Sequence, residues 1–247
     1  MNKKTIDLKT QDGICDTYVS YPEGQKNLPA ILLYIDAIGL RPRIEEMADQ
    51  MAAKGYFVIA PNLFYRTRRA PVFDYSVLPD RAKLFEQIMP VASQLKTDMA
   101  ERDARAFIDF IKAQPQVNIK KMGTVGYCMG GAHALRTAGN FPDTFQAVAT
   151  YHVGNAVWND PSSPHHWFPK IKAEVYMGHA DNDQHMPPAQ MEQVEMFLTE
   201  NHIRHKTELY PHCPHGWTMK DMPMYNAEGE QKHWKTLFEL FDRVLKH

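Results

Sequence analysis

The sequence predicts an α/β protein: a mostly parallel sheet with helices on both faces. Three observations carry this reading. Residues 30–60 run strand, helix, strand within about thirty residues, the signature of a parallel βαβ unit. A second strand passes directly into a helix of small residues at 121–139. Strand and helix patterns then alternate to residue 245 with no internal repeat, linker or low-complexity segment. A single domain over 1–247 is therefore expected.

The elements follow in order. Residues 5–20 read as an opening strand or hairpin, with Gly13 at the turn and Cys15 on the second arm. Residues 30–35 (AILLYI) are continuously apolar, as suits a central strand covered on both faces. Apolar side chains at 44, 47, 48 and 51 give residues 43–54 a helical period, with Gly55 as its stop. Residues 56–60 (YFVIA) are the next strand, ended by Pro61. Residues 62–97 are less regular. They read as an insertion over one edge of the sheet, holding Arg66, Arg68, Arg69, Phe73 and Tyr75 and a helix over about 80–95. A helix over 98–113 follows, with Asp98 as its expected cap and Pro115 beyond its end. Strands are expected at 121–127, 146–152, 173–177 and 206–210, and helices at 129–139, 188–201 and 228–245.

Composition narrows the function classes. The 247 residues carry 28 Lys plus Arg against 29 Asp plus Glu, so the basic excess of a nucleic-acid binder is missing from the total. Three cysteines, an odd number, are too few for a disulfide scaffold. The start MNKKTIDLKT has lysines but no following apolar stretch, so no signal peptide is expected. The longest apolar runs are strand-sized, far from the roughly 18 residues of a membrane-spanning helix. A cytoplasmic protein with reduced thiols is the expectation.

The strongest local signal is Gly126-Tyr127-Cys128-Met129-Gly130, followed by Gly131. G-x-C-x-G is the frame of a nucleophile elbow with cysteine in place of serine. The nucleophile stands on a tight strand-to-helix turn, and small residues two before and two after let helix and strand approach. The thiol then lies at a helix N-terminus, which favours the thiolate. The Met129 N–H points to where an oxyanion would form. A dinucleotide fingerprint does not fit this spacing, and a phosphate loop would need G-K-[ST].

In sheets built around such an elbow, the chain order is nucleophile, acid, histidine. The strand at 173–177 is followed by GHADNDQHMPP, which offers Asp181 and Asp183 as the acid. The strand at 206–210 is followed by PHCPHGW, which offers His212 and His215. A paired imidazole takes a proton from the thiol and returns one to the leaving group, while the carboxylate fixes its tautomer. The histidines at 152, 165, 166, 179, 185, 212 and 215 invite a metal reading, but the chain has no C-x-x-C or H-E-x-x-H spacing. No metal and no cofactor are expected.

The stretches IDAIGLRPRIEEMADQMAAKGYFVIAPNLFYR, GTVGYCMGG, VYMGHADNDQHMPP and PHGW resemble the dienelactone hydrolases (carboxymethylenebutenolidase-like proteins) of the α/β-hydrolase superfamily. With the closing helix the resemblance spans roughly residues 28–245. It implies the α/β-hydrolase fold, a nucleophile at Cys128 and a histidine at His215. It favours Asp183, four residues before Pro187, over Asp181 as the acid. It also implies a carboxylate after the second core strand that interacts with the resting cysteine. That place falls on Asp36, where the family has Glu, and Ala37 would supply a second oxyanion N–H. The family's substrate-carboxylate arginines match less well: Arg66 or Arg68 could fill one role, but Met219 stands where the other is sought, with Lys220 nearest.

The expected function is hydrolysis of a small ester or lactone through a cysteine acyl-enzyme. The expected partner is that small molecule, with no nucleic acid and no membrane, and the protein is a monomer or homodimer. Two alternatives stand beside it: a hydrolase of another ester or thioester, and a degenerate fold retained for binding.

Overall fold

The structure, a computed structural model, describes residues 1–73 and 81–247, with only the backbone of Arg81 and Ala82. Tyr75 lies outside the described residues. The chain divides into two compact units, Met1–Ile119 and Lys120–His247.

The first unit carries strands β1 (Asn2–Lys9), β2 (Ile14–Tyr21), β3 (Leu28–Tyr34) and β4 (Phe57–Pro61), in the order β1-β2-β4-β3. β1 and β2 form the expected hairpin, antiparallel, with Lys9 opposite Ile14. β2 is antiparallel to β4, and β3 is parallel to it. All seven residues of β3 are buried, as its unbroken apolar run requires. Helix α1 (Pro42–Ala53) buries Ile44, Met47, Ala48 and Met51 on one stripe. Its Asp49 accepts hydrogen bonds from Tyr18 at 3.0 Å and Ser20 at 2.7 Å, alternate residues of β2 that share a face.

The expected insertion contains α2 (Arg81–Ala92), which ends three residues before the 95 read from the sequence; the expected start at 80 lies outside the described residues. Helix α3 (Thr97–Lys112) buries Ala104, Phe107, Ile108 and Ile111. Asp98 does not cap it. The cap position falls on Lys96, and Asp98 lies in the first turn, paired with Arg102 at 2.8 Å. A carboxylate there still opposes the positive end of the helix, so the residue type fits while the register differs by two.

The second unit carries β5 (Val117–Tyr127, entering from the first unit), β6 (Ala147–Tyr151), β7 (Glu174–Ala180) and β8 (His205–Tyr210), paired in that order and all parallel. Helix α4 (Met129–Asn140) packs on β6, and α6 (Ala227–Leu245) packs on β6 and β7. The two helices lie on opposite faces. On β6, Thr150 meets the α4 side at Gly131, while the Tyr151 hydroxyl meets Thr236 of α6 at 2.9 Å. Helix α5 (Pro188–Glu200) follows β7. A 3-10 helix at Pro164–Lys170, which has no signal in the apolar spacing, packs on α4.

β7 runs three residues past its expected end. Gly178, just past the expected end, sits within the strand, where Tyr151 and Tyr210 crowd it. A Cβ there would lie 2.8 Å from the Tyr151 ring. The extension carries the strand to the loop that holds the candidate acids.

Candidate active site

β5 ends at Tyr127 and α4 begins at Met129, so Cys128 alone makes the turn. Its backbone has φ +54° and ψ −120°, a region that costs a non-glycine residue strain. Hydrogen bonds hold the turn: the Cys128 N–H donates to the Tyr151 carbonyl at 3.1 Å, and the Gly131 N–H donates to the Cys128 carbonyl at 3.0 Å. Gly126 is obligatory for steric reasons, since a Cβ there would stand 2.1 Å from the Gly130 carbonyl oxygen. Gly126→Ala is therefore expected to destabilise the protein by about 3 kcal/mol or more. Thermal unfolding checks this, and a parental melting temperature would contradict it. Met129 is the first helical residue, so its N–H has no acceptor within α4.

His215 lies in the turn between β8 and α6, and Asp183 in the loop after β7. The three side chains converge. His215 Nε2 lies 3.0 Å from Cys128 Sγ, and His215 Nδ1 lies 2.6 Å from Asp183 Oδ2. The other oxygen of Asp183 accepts the His185 N–H at 2.9 Å, which fixes the carboxylate. Asp181 is not part of this chain of contacts; its Oδ2 accepts the His212 N–H at 2.9 Å and so ties down the turn ahead of His215.

The electrostatics follow from this packing. Burial is the largest influence on His215 and disfavours its cation. The negative charge of a Cys128 thiolate and the bond to Asp183 outweigh it, and the imidazole is pushed up to about 10. Burial acts on Asp183 in the opposite sense, raising it. Its hydrogen bond to His215 and that cation's charge prevail, so the carboxylate is held below its ordinary value. An imidazolium held between a thiolate and a carboxylate can protonate a leaving group as soon as the sulfur attacks.

Two further histidines of this unit, His133 and His179, are buried and held neutral. Burial, with Arg136 nearby, takes His133 down to about 3, and burial takes His179 down to about 4. An unfolded imidazole takes up its proton near pH 6.5, so between pH 6.5 and 4 the unfolded chain binds more protons. Stability is then fully present above pH 6.5 and is lost as the pH falls. At pH 5 a histidine shifted like His179 accounts for a loss of about 2 kcal/mol. His179→Leu is expected to flatten the fall in melting temperature between pH 7 and 5; an unchanged slope would contradict it.

The remaining expected site residues lie in the first unit. Asp36 is buried, and Arg41 grips its carboxylate with two hydrogen bonds of 2.8 and 3.0 Å. Asp36 Oδ1 also accepts the Ile38 N–H at 3.0 Å. The carboxylate expected beside the resting cysteine is thus engaged as an anchor of its own loop. Ala37 follows it, half-buried. Arg66 is spent on two carboxylates, with Asp12 at 2.6 Å and Asp103 at 2.7 Å. Arg68 stacks over Phe73 and donates to the Val72 carbonyl at 3.3 Å. Cys15 and Cys213 are both buried. Burial raises both thiols, Cys15 to about 12.

Among the described residues, no group of three or more His, Cys, Asp or Glu side chains is placed to hold a metal ion. No helix among them is long and apolar enough to cross a membrane.

Comparison with known proteins fixes the family. The family model described as "Dienelactone hydrolase family" matches residues 15–245. The chain belongs to this family. Relatives of the dienelactone hydrolase family match it nearly end to end. A Synechocystis protein named "Putative carboxymethylenebutenolidase" is 26% identical over 253 residues, covering 98% of this chain and all of its own. A Klebsiella pneumoniae structure described as "Putative Dienelactone Hydrolase" superposes with a TM-score of 0.85 at 18% identity, covering 97% of this chain and 98% of that one. A dienelactone hydrolase structure from Anabaena variabilis superposes at 0.68 with 16% identity, over 99% and 98%. The fold is therefore the α/β-hydrolase fold, and the chain is a hydrolase of the dienelactone hydrolase family.

Three site residues have no mark in the sequence as a motif. His152 follows β6, its Nε2 2.8 Å from the Thr218 hydroxyl, and Thr218 lies three residues past His215. His185 places its ring 5.6 Å from that of His215. Position is the only signal that could have found His152 and His185: each follows the C-terminal end of a parallel strand, where α/β sheets gather their site residues.

Proposed function

We propose that the protein hydrolyses a small ester or lactone by way of an acyl-cysteine. The observation that carries this is the unbroken contact chain Cys128–His215–Asp183, at 3.0 and 2.6 Å. The Cys128 thiolate adds to the substrate carbonyl, and the carbonyl electrons move onto oxygen. The N–H of Met129 is assigned to that oxyanion, worth about 3 kcal/mol when well aimed. As the intermediate collapses, the carbon–oxygen bond to the leaving alkoxide breaks and His215 supplies its proton. For a lactone the released hydroxyl stays on the acyl chain. Water then attacks the thioester with His215 as base, releasing the carboxylic acid and restoring the thiolate.

The substrate class is carried by the family, in which the Synechocystis relative is named a carboxymethylenebutenolidase. The engagement of Arg66 with Asp12 and Asp103 argues that a substrate anion is not bound by that guanidinium. A neutral ester or lactone then suits the site as well as an anionic one. We place the enzyme in the cytoplasm, where free Cys128 would stay reduced, as a monomer or homodimer.

A panel of neutral and anionic lactones, aryl esters and thioesters tests the reading. Turnover of at least one ester or lactone class with kcat/KM above about 10⁴ M⁻¹s⁻¹ is expected. No turnover across the panel, with stoichiometric ligand binding instead, would favour a binding protein on a hydrolase fold.

A further inference from the structure

His215 touches more than its two triad partners. Its ring lies 5.3 Å from that of His152, at 64°. His152 is wholly buried at the end of β6 in a left-handed conformation, φ +41°. A left-handed histidine needs surroundings that over-determine it, and His152 has them. Its N–H donates to the Gly178 carbonyl at 2.8 Å, its Nε2 meets the Thr218 hydroxyl at 2.8 Å, and Trp217 packs edge-on at 4.9 Å. Thr218, also wholly buried, belongs to the same turn as His215. A side-chain bond at Thr218 therefore pins the turn to the sheet, beside the bond from the His212 N–H to Asp181. The Thr218 bond joins the residue three past His215 to the imidazole packed against the His215 ring. Among the described residues, no donor or acceptor at hydrogen-bond distance faces the remaining nitrogen of His152, Nδ1.

We infer that His152 and Thr218 form a positioning pair that sets the ring plane of His215 between Cys128 and the leaving group. This rests on the proposed cysteine mechanism. The pair acts through His215. A small rotation of an acid–base group costs rate without costing substrate affinity, so the pair should act on kcat and leave KM alone. A buried, uncharged His152 also leaves the His215 cation unopposed on that side. The charged and titratable groups around His215 are Cys128 at the head of α4, Asp183 and His185 in the loop after β7, and His152 after β6. Those around His152 are His215, His233 of α6 and Tyr127 of β5.

The test compares Thr218→Val, Thr218→Ser and His152→Phe with the parent. Aryl-ester kinetics and the pH dependence of iodoacetamide alkylation at Cys128 are measured for each. T218V and H152F are expected to lower kcat about 10-fold with KM within about twofold, and to move the alkylation midpoint. T218S, which keeps the hydroxyl, is expected to stay within about twofold in kcat. Parental kcat and an unchanged alkylation profile in folded T218V or H152F would overturn the inference. So would an equal loss in T218S and T218V. Should the substitutions unfold the chain, ¹⁵N spectra of the parent imidazoles decide: His152 should hold one neutral tautomer across the active pH range, and tautomer averaging would overturn the pair. Cys128→Ala in the same assay separates the two failures. Activity surviving C128A defeats the cysteine mechanism itself, whereas activity lost in C128A and unchanged in T218V defeats only the positioning role.

Discussion

Cys128→Ala should lower ester hydrolysis by about 10⁴-fold or more, leaving only what the oxyanion donors and binding supply. The size follows from the site: it is the Cys128 thiol that His215 Nε2 contacts, at 3.0 Å, and the other two cysteines are buried. Cys15 is wholly buried, with its thiol pushed up to about 12, and Cys213 is buried and raised as well. Alkylation of the native protein at neutral pH should therefore place one label, on Cys128, and inactivate in step with labelling. The thiolate is the attacking form, and its partner imidazolium persists because His215 is raised to about 10. Intact-mass measurement and activity on the same samples check both halves. Labelling of Cys15 or Cys213 with loss of activity would contradict the assignment. Cys128→Ser keeps the shape but lacks the acidic proton, and it should fall well below the parent.

Asp183→Asn should cost about 10³ to 10⁴-fold in kcat, whereas Asp181→Asn should stay within about threefold. Only Asp183 reaches the histidine, at 2.6 Å, and its side chain is nearly inaccessible at 1% exposure. An amide in its place can present an N–H to His215 Nδ1 and so favour the wrong tautomer. It also removes a negative charge that helps hold the His215 proton, so the pH at which that proton is lost should move down. Asp181 instead secures the His212 backbone, and an asparagine oxygen can still accept that bond. A pH–rate profile of each variant is the measurement. Equal losses in the two variants would contradict this division of labour.

Much of the site is legible in the sequence because each part is a local rule. The G-x-C-x-G frame dictates a turn that only small flanking residues permit, and the 2.1 Å clash at Gly126 is that rule in distances. The chain order of acid and histidine follows from strand ends lying at one edge of the sheet. The choice between Asp181 and Asp183 is harder, because two carboxylates two residues apart in an irregular loop differ only in tertiary aim. The same limit hides the state of Asp36 and Arg66. Ion pairing to Arg41, or to Asp12 and Asp103, joins residues up to 54 apart, and no spacing announces it. His152 and Thr218 are invisible for the same reason, 66 residues apart yet 2.8 Å in contact. Gly178 shows the opposite failure. The strand expected to end at 177 runs on through this glycine, where two tyrosine rings claim the space a side chain would fill.

Passage of the acyl group through Cys128 is decided by rapid acid quenching of the enzyme with an excess of an aryl acetate, followed by intact-mass analysis and peptide mapping. A mass gain of one acetyl group is expected, carried by the peptide containing Cys128, labile to hydroxylamine and absent from C128A. An acetyl group on any other residue, or full hydrolysis by C128A, would contradict it.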